Sequence, residues 1–165
     1  MPRSTSRDLT RRRFIQSTSA LAGVAALGGV HSELAAADSD SPNEKLNIAI
    51  IGAAGRGRAN MGGVSSENIV ALCDVDENNL AGAKKSHPKA DGFADWRKLV
   101  EQKTIDALVI STADHTHAPC ALAAMRAGKH VYCEKPLAHT VEEARLMRET
   151  YRKAKVATQM GTQIH

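Results

Sequence analysis

The chain has 165 residues and a formal charge of +4, but Arg3, Arg7, Arg11, Arg12 and Arg13 against Asp8 and Glu33 place +3 of that in residues 1–37. The remainder is close to neutral and aromatic residues are only 3% of the chain, which excludes a basic nucleic-acid surface and a stacking platform for single strands. Residues 38–165 are enough for one domain with a proper core.

The N-terminus reads as an address rather than a fold. Thr10-Arg11-Arg12-Arg13-Phe14-Ile15-Gln16 resembles the twin-arginine export motif, and an Ala- and Gly-rich apolar stretch follows over residues 20–30. His31, Ser32 and Glu33 end that stretch short of the roughly 20 residues a membrane span needs. Ala35-Ala36-Ala37 supplies the small residues a signal peptidase requires, so cleavage is expected after Ala37. No cysteine stands there to carry a lipid. The expected organisation is therefore an export signal over 1–37, a polar linker over 38–44 and a folded domain over 45–165. The mature protein is expected in the periplasm or secreted, free of the membrane, with the twin-arginine machinery as its export partner.

Beyond the linker, short apolar runs alternate with helical segments. Residues 46–51 and 69–73 read as buried strands, 106–111, 130–133 and 156–160 as further short strands, with a brief strand at Phe93 between them. Helices are expected over residues 55–64, over 77–86 capped by Asp76, through Val100 behind an Asp95 cap, over 118–127 ending at Gly128, and to about Ala154 behind a Thr140/Glu143 capping box. This alternation implies right-handed crossovers and an α/β fold with a doubly wound parallel sheet, the Rossmann dinucleotide-binding architecture. Cys73, Cys120 and Cys133 are odd in number and lack C-x-x-C spacing, so neither a disulfide framework nor a thiolate zinc site is supported.

In such a sheet, ligands bind at the carboxyl ends of the strands. The residues that carry chemistry fall there. Gly52, Ala54, Gly55, Arg56 and Gly57 form a glycine-rich turn between the first strand and its helix, a cradle for a diphosphate, with alanine replacing the middle glycine of G-x-G-x-x-G. Arg56 and Arg58 are within reach of a phosphate. Asp74 ends the second strand 22 residues beyond Gly52, the place of the acid that accepts from the adenosine ribose hydroxyls. Its charge, with no arginine beside it, favours NAD over NADP. Thr112, Asp114 and His117 follow the fourth strand, and Glu134 and Lys135 follow the fifth. Asp114, His115 and His117 lie close together in sequence, but no further ligand is in register, so no metal is expected. His117 is expected near a helix start beside the cofactor.

The motifs Ile51 to Gly57, Thr112-Ala113-Asp114-His115-Thr116-His117 and Tyr132-Cys133-Glu134-Lys135-Pro136-Leu137, in that order, resemble the nucleotide-binding domain of the glucose–fructose oxidoreductase / inositol dehydrogenase (Gfo/Idh/MocA) family. Gly161-Thr162-Gln163 is similar to a segment of its exported members. Ala113, where the family has proline, and Ala54 depart from the pattern. The resemblance implies a NAD-dependent oxidoreductase that moves hydride between nicotinamide and a hydroxyl of a sugar, cyclitol or polyol. It implies that Lys135 lies at the nicotinamide and the reacting carbon as the catalytic residue, with Glu134 positioning the lysine or the cofactor. It also implies a second, α+β substrate domain, absent from this chain, and homo-oligomers at full length. Two alternatives stand beside this reading: a NAD-dependent glycoside hydrolase of the same superfamily, against which Lys135 argues, and a non-catalytic cofactor-binding remnant with an apolar uncovered edge.

Overall fold

The computed structural model describes residues 45–162. The export motif, the cleavage site, the 38–44 linker and Gln163 lie outside the described residues. Six strands, β1 (Asn47–Ile51), β2 (Asn68–Cys73), β3 (Asp91–Phe93), β4 (Ala107–Ile110), β5 (His130–Glu134) and β6 (Thr158–Gly161), form one sheet in the order β3-β2-β1-β4-β5-β6. Every pairing is parallel. The helices between them are α1 (Arg56–Gly63), α2 (Glu77–Ser86), α3 (Trp96–Val100), α4 (Asp114–Arg126) and α5 (Val141–Ala154). The expected doubly wound sheet is therefore the fold.

The four central strands β2, β1, β4 and β5 read as largely apolar runs because both faces are covered, whereas the edge strands β3 and β6 are mostly exposed, β6 against the expectation of an apolar strand there. On one face Ile48, Ile50, Leu72 and Val109 pack with Met61 of α1 and Ala83 of α2. On the other, Ala49, Ile51, Cys73, Leu108, Ile110 and Cys133 pack with Leu99 of α3 and with Cys120, Ala121 and Met125 of α4. The division follows from handedness. Crossovers running from β1 out to β3 place their helices on one face, and crossovers running from β4 out to β6 place theirs on the other. The order of winding reverses between β1 and β4, with the strands still parallel, and the carboxyl ends of those strands open the crevice where a ligand of such a sheet sits.

Local signals set most helix starts. The Asp76 side chain accepts from Asn78 N, and Asp95 accepts from Arg97 N. Thr140 and Glu143 complete the capping box reciprocally. Most boundaries fall within one residue of expectation, and two helix or strand starts shift further. Helix α4 starts at Asp114 rather than Ala118 and carries Pro119 inside it. Proline favours a first helical turn, yet here it lies deeper and leaves the carbonyl of His115 without its helical donor. His115 is exposed, so water can serve that carbonyl. The last strand starts at Thr158 rather than Val156, because Val156 is buried as part of the core ahead of the ladder. Among the described residues no helix is long and apolar enough to cross a membrane.

Candidate functional site

The turn after β1 is built by close approach. Gly52 N donates to Cys73 O at 2.8 Å and Ala53 N to Asp74 Oδ2 at 2.9 Å, so the turn is pinned to the end of β2. A Cβ on Gly57 would stand 1.7 Å from the Gly52 carbonyl oxygen, so only glycine lets α1 descend onto the turn. Gly55 is different. Its φ of +50° with ψ of −117° is a backbone state open to glycine, and a Cβ there would meet nothing within 4 Å. The space above Gly55 is thus clear, at the end of a helix whose first N–H groups have no helical acceptor. This cradle fits a diphosphate, and Ala54 in the middle position leaves it intact.

Asp74 lies beside that turn. One carboxylate oxygen holds Ala53 N–H and the other holds Asp76 N–H at 3.0 Å. Each oxygen keeps a free lone pair, which is what the ribose hydroxyls of a dinucleotide need. The neighbouring Val75 is 87% exposed and offers no positive charge to a 2′-phosphate.

At the end of β4, Ser111 N donates to Ile51 O, Thr112 is half-buried, and Asp114 and His115 are exposed on the first turn of α4. His117 is not exposed. It is 1% accessible, with Nδ1 2.6 Å from Pro136 O and Nε2 3.0 Å from Thr112 O. It ties the loop after β4 to the turn after β5, both ring nitrogens lying within hydrogen-bond distance of a backbone carbonyl and one of them donating in the neutral ring. Among the described residues no three His, Cys, Asp or Glu side chains converge on one point.

The turn after β5 carries Lys135 on the surface, with its N–H on Gly161 O at 3.2 Å and a cis peptide to Pro136. Glu134 points the other way, into the protein, and is 3% exposed. Its Oε1 accepts from Arg56 Nε at 2.9 Å, Asn60 Nδ2 at 2.8 Å and Tyr132 OH at 3.3 Å, while Oε2 is buried without a partner. Burial pushes this carboxyl up, but the hydrogen bonds from Arg56 and Asn60, the Arg56 charge and the Tyr132 hydroxyl outweigh it. The group is held below its ordinary value. Arg56, expected at a phosphate, thus has its Nε turned to Glu134, and its side chain remains 43% exposed.

Several residues of this arrangement were not singled out from the sequence: Asn60, Ser111 and Tyr132. A Cβ on Gly161 would stand 2.6 Å from Tyr132 OH and 2.8 Å from Glu134 Oε1, which gives the glycine of Gly161-Thr162 a physical reason. The one signal for Asn60 was its spacing, one helical turn beyond Arg56 and on the same face.

Residues 46–162 match the family model GFO_IDH_MocA, described as the oxidoreductase family with an NAD-binding Rossmann fold. Inositol 2-dehydrogenase 2 of Saccharopolyspora erythraea is 41% identical over 101 residues, covering 59% of this chain and 30% of that protein. The alpha-N-acetylgalactosaminidase of Bacteroides fragilis is 34% identical over 125 residues, covering 69% of this chain and 29% of that protein. The structure of levoglucosan dehydrogenase in complex with NADH superposes with a TM-score of 0.66 at 26% identity, covering 71% of this chain and 34% of that one. The chain spans about a third of the length of these relatives.

Proposed function

This chain belongs to the Gfo/Idh/MocA oxidoreductase family, and from that premise we propose that it binds NAD(H) and serves hydride exchange with a secondary hydroxyl of a sugar, cyclitol or other polyol. The observation that carries the reading is convergence. The glycine turn after β1, Asp74 after β2, Thr112 after β4 and Lys135 after β5 all stand at the carboxyl edge of one sheet, around the point where its order reverses.

The backbone N–H groups of Ala54, Gly55 and Arg56 hold the diphosphate, Gly52 and Gly57, whose own N–H groups are donated to Cys73 O and Ala54 O, shape the turn, and Asp74 holds the adenosine ribose and selects NAD over NADP. The nicotinamide supplies the hydride acceptor or donor when bound. Lys135 does the protein's part of the chemistry. Its exposed ammonium hydrogen-bonds the substrate oxygen and stabilises the negative charge that develops there as hydride leaves carbon. Thr112 and Asp114 line the approach to the same crevice. The twin-arginine motif and Ala35-Ala36-Ala37 support export of the folded, loaded protein to the periplasm.

A second reading has a specific observation behind it, the 34% identity to an alpha-N-acetylgalactosaminidase. One experiment separates the two. The protein is supplied with NAD and a panel of inositols, monosaccharides and aryl glycosides, and NADH and free aglycone are followed together. Net NADH, lowered about 10²-fold or more by Lys135→Met, supports the dehydrogenase. Aglycone release without net NADH supports the glycosidase. Neither product, with NADH still bound, reduces the protein to a cofactor-binding chain.

A further inference from the structure

Asn60 has no place in the roles assigned above, yet it is the side chain that joins them. It lies on α1, the helix that starts at the diphosphate turn, and is 9% exposed. Its single amide nitrogen donates to Ser111 Oγ at the end of β4 and to Glu134 Oε1 at the end of β5, both at 2.8 Å. Glu134 immediately precedes Lys135. The other carboxylate oxygen of Glu134 has no partner, so the side chain is held wholly by donors to Oε1. Of those donors Arg56 is half-exposed and Tyr132 is the longest contact, which leaves Asn60 as the buried short one.

We propose that Asn60 is a positioning residue that couples the diphosphate end of the site to Lys135. When a diphosphate seats on α1, the helix is fixed, and the amide of Asn60 fixes Glu134 and with it the turn that presents Lys135. A buried carboxylate deprived of a donor must shift or recruit another. A displacement of about 1 Å at a reacting group is enough to cost about 10²-fold in rate. The inference rests on the reading that Lys135 stands at the nicotinamide.

The test is acylation of Lys135 by an amine reagent, followed by peptide mass, with NADH or ADP-ribose present. In the parent protein NADH at ten times its Kd slows Lys135 labelling about tenfold, and ADP-ribose, which lacks the nicotinamide, does not. If NADH fails to protect the parent, the reading of the site falls and the inference falls with it. In Asn60→Leu, ADP-ribose affinity stays within about twofold while protection by saturating NADH drops to about twofold or less. Asn60→Asp, which sets a carboxylate against Glu134, behaves the same way. Asn60→His, whose ring Nδ1–H can stand where the amide donates, keeps a donor to Glu134 Oε1 without disturbing Arg56 or Tyr132 and restores protection. Full protection in Asn60→Leu and Asn60→Asp overturns the proposal. So does equal loss in Asn60→Asp and in Asn60→His, which would make residue 60 merely structural. Should Asn60→Leu not fold, the comparison of Asn60→Asp with Asn60→His still decides.

Discussion

Replacing Gly57 by alanine is the most direct challenge to the way α1 is seated. The new Cβ would lie 1.7 Å from the Gly52 carbonyl oxygen and 3.4 Å from Ser111 Cβ. The first neighbour is backbone, fixed in turn by the Gly52 N–H bond to Cys73 O, so no flexible side chain can give way. Helix α1 must lift, or the turn must shift off β2. Overpacking of this kind costs about 3 kcal/mol, the upper part of its usual range. For a domain of this size that is a drop of about 12 °C in Tm, taking about 4 °C per kcal/mol. NADH binding should be lost with it, since the cradle is the part displaced. Gly62→Ala on the same helix is the control, because a Cβ there meets nothing within 4 Å. It should leave stability unchanged or raise it by up to about 1 kcal/mol, as alanine does in a helix. The assay is thermal and urea unfolding of both variants with NADH fluorescence titrations. A Gly57→Ala protein that melts within about 2 °C of the parent and binds NADH equally would refute the seating of α1 on Gly52.

Four further outcomes follow from other contacts. The Glu134 carboxyl is held below its ordinary value of 4.5, so its ionised form stabilises the fold above about pH 4.5 and that contribution is lost as pH falls through the lowered folded value; acid unfolding should be shallower in Glu134→Gln over that window. Gly161→Ala would press on Tyr132 OH and Glu134 and should destabilise by about 1–3 kcal/mol in urea titrations, with the Lys135 turn disturbed. Cys73, Cys120 and Cys133 are buried thiols pushed up to about 12 by burial, so none should react with a thiol reagent at neutral pH until the protein is unfolded. Lys129 is 6% exposed and donates to Gln102 O and Ile105 O; Lys129→Met leaves both carbonyls without that donor and should cost about 2 kcal/mol in a urea midpoint measurement.

Much of the fold was legible because its signals are local. A cap such as Asp76 acts on a backbone N–H two residues away, and the Thr140/Glu143 box closes within three, so the sequence window contains the whole interaction. Apolar runs of four to six residues carried the strands for the same reason. What local reasoning misplaced were elements whose limits are set elsewhere. The start of α4 depends on where β4 ends and on His117 reaching Thr112 and Pro136, and that outweighs the preference of Pro119 for a first turn. Val156 is apolar because it fills the core, not because it lies in a strand.

The same distinction runs through the site. Gly52, Asp74, Thr112 and Lys135 could be placed because each stands at a strand end, and parallel topology sends strand ends to one edge whatever the side chains are. The direction a side chain takes at that edge is another matter. Glu134, the last residue of β5, and Lys135, the first of the turn after it, are neighbours, yet the first is buried and the second exposed. That choice is made by Arg56 and Asn60, 78 and 74 residues earlier, and by the space that Gly161 leaves. A buried carboxylate held by donors from one distant helix is sensitive to where that helix sits. On the proposed reading, in which Lys135 meets the nicotinamide and the diphosphate sits on the glycine turn where α1 begins, the turn after β5 gains from such sensitivity, because the helix is then also the ligand's seat.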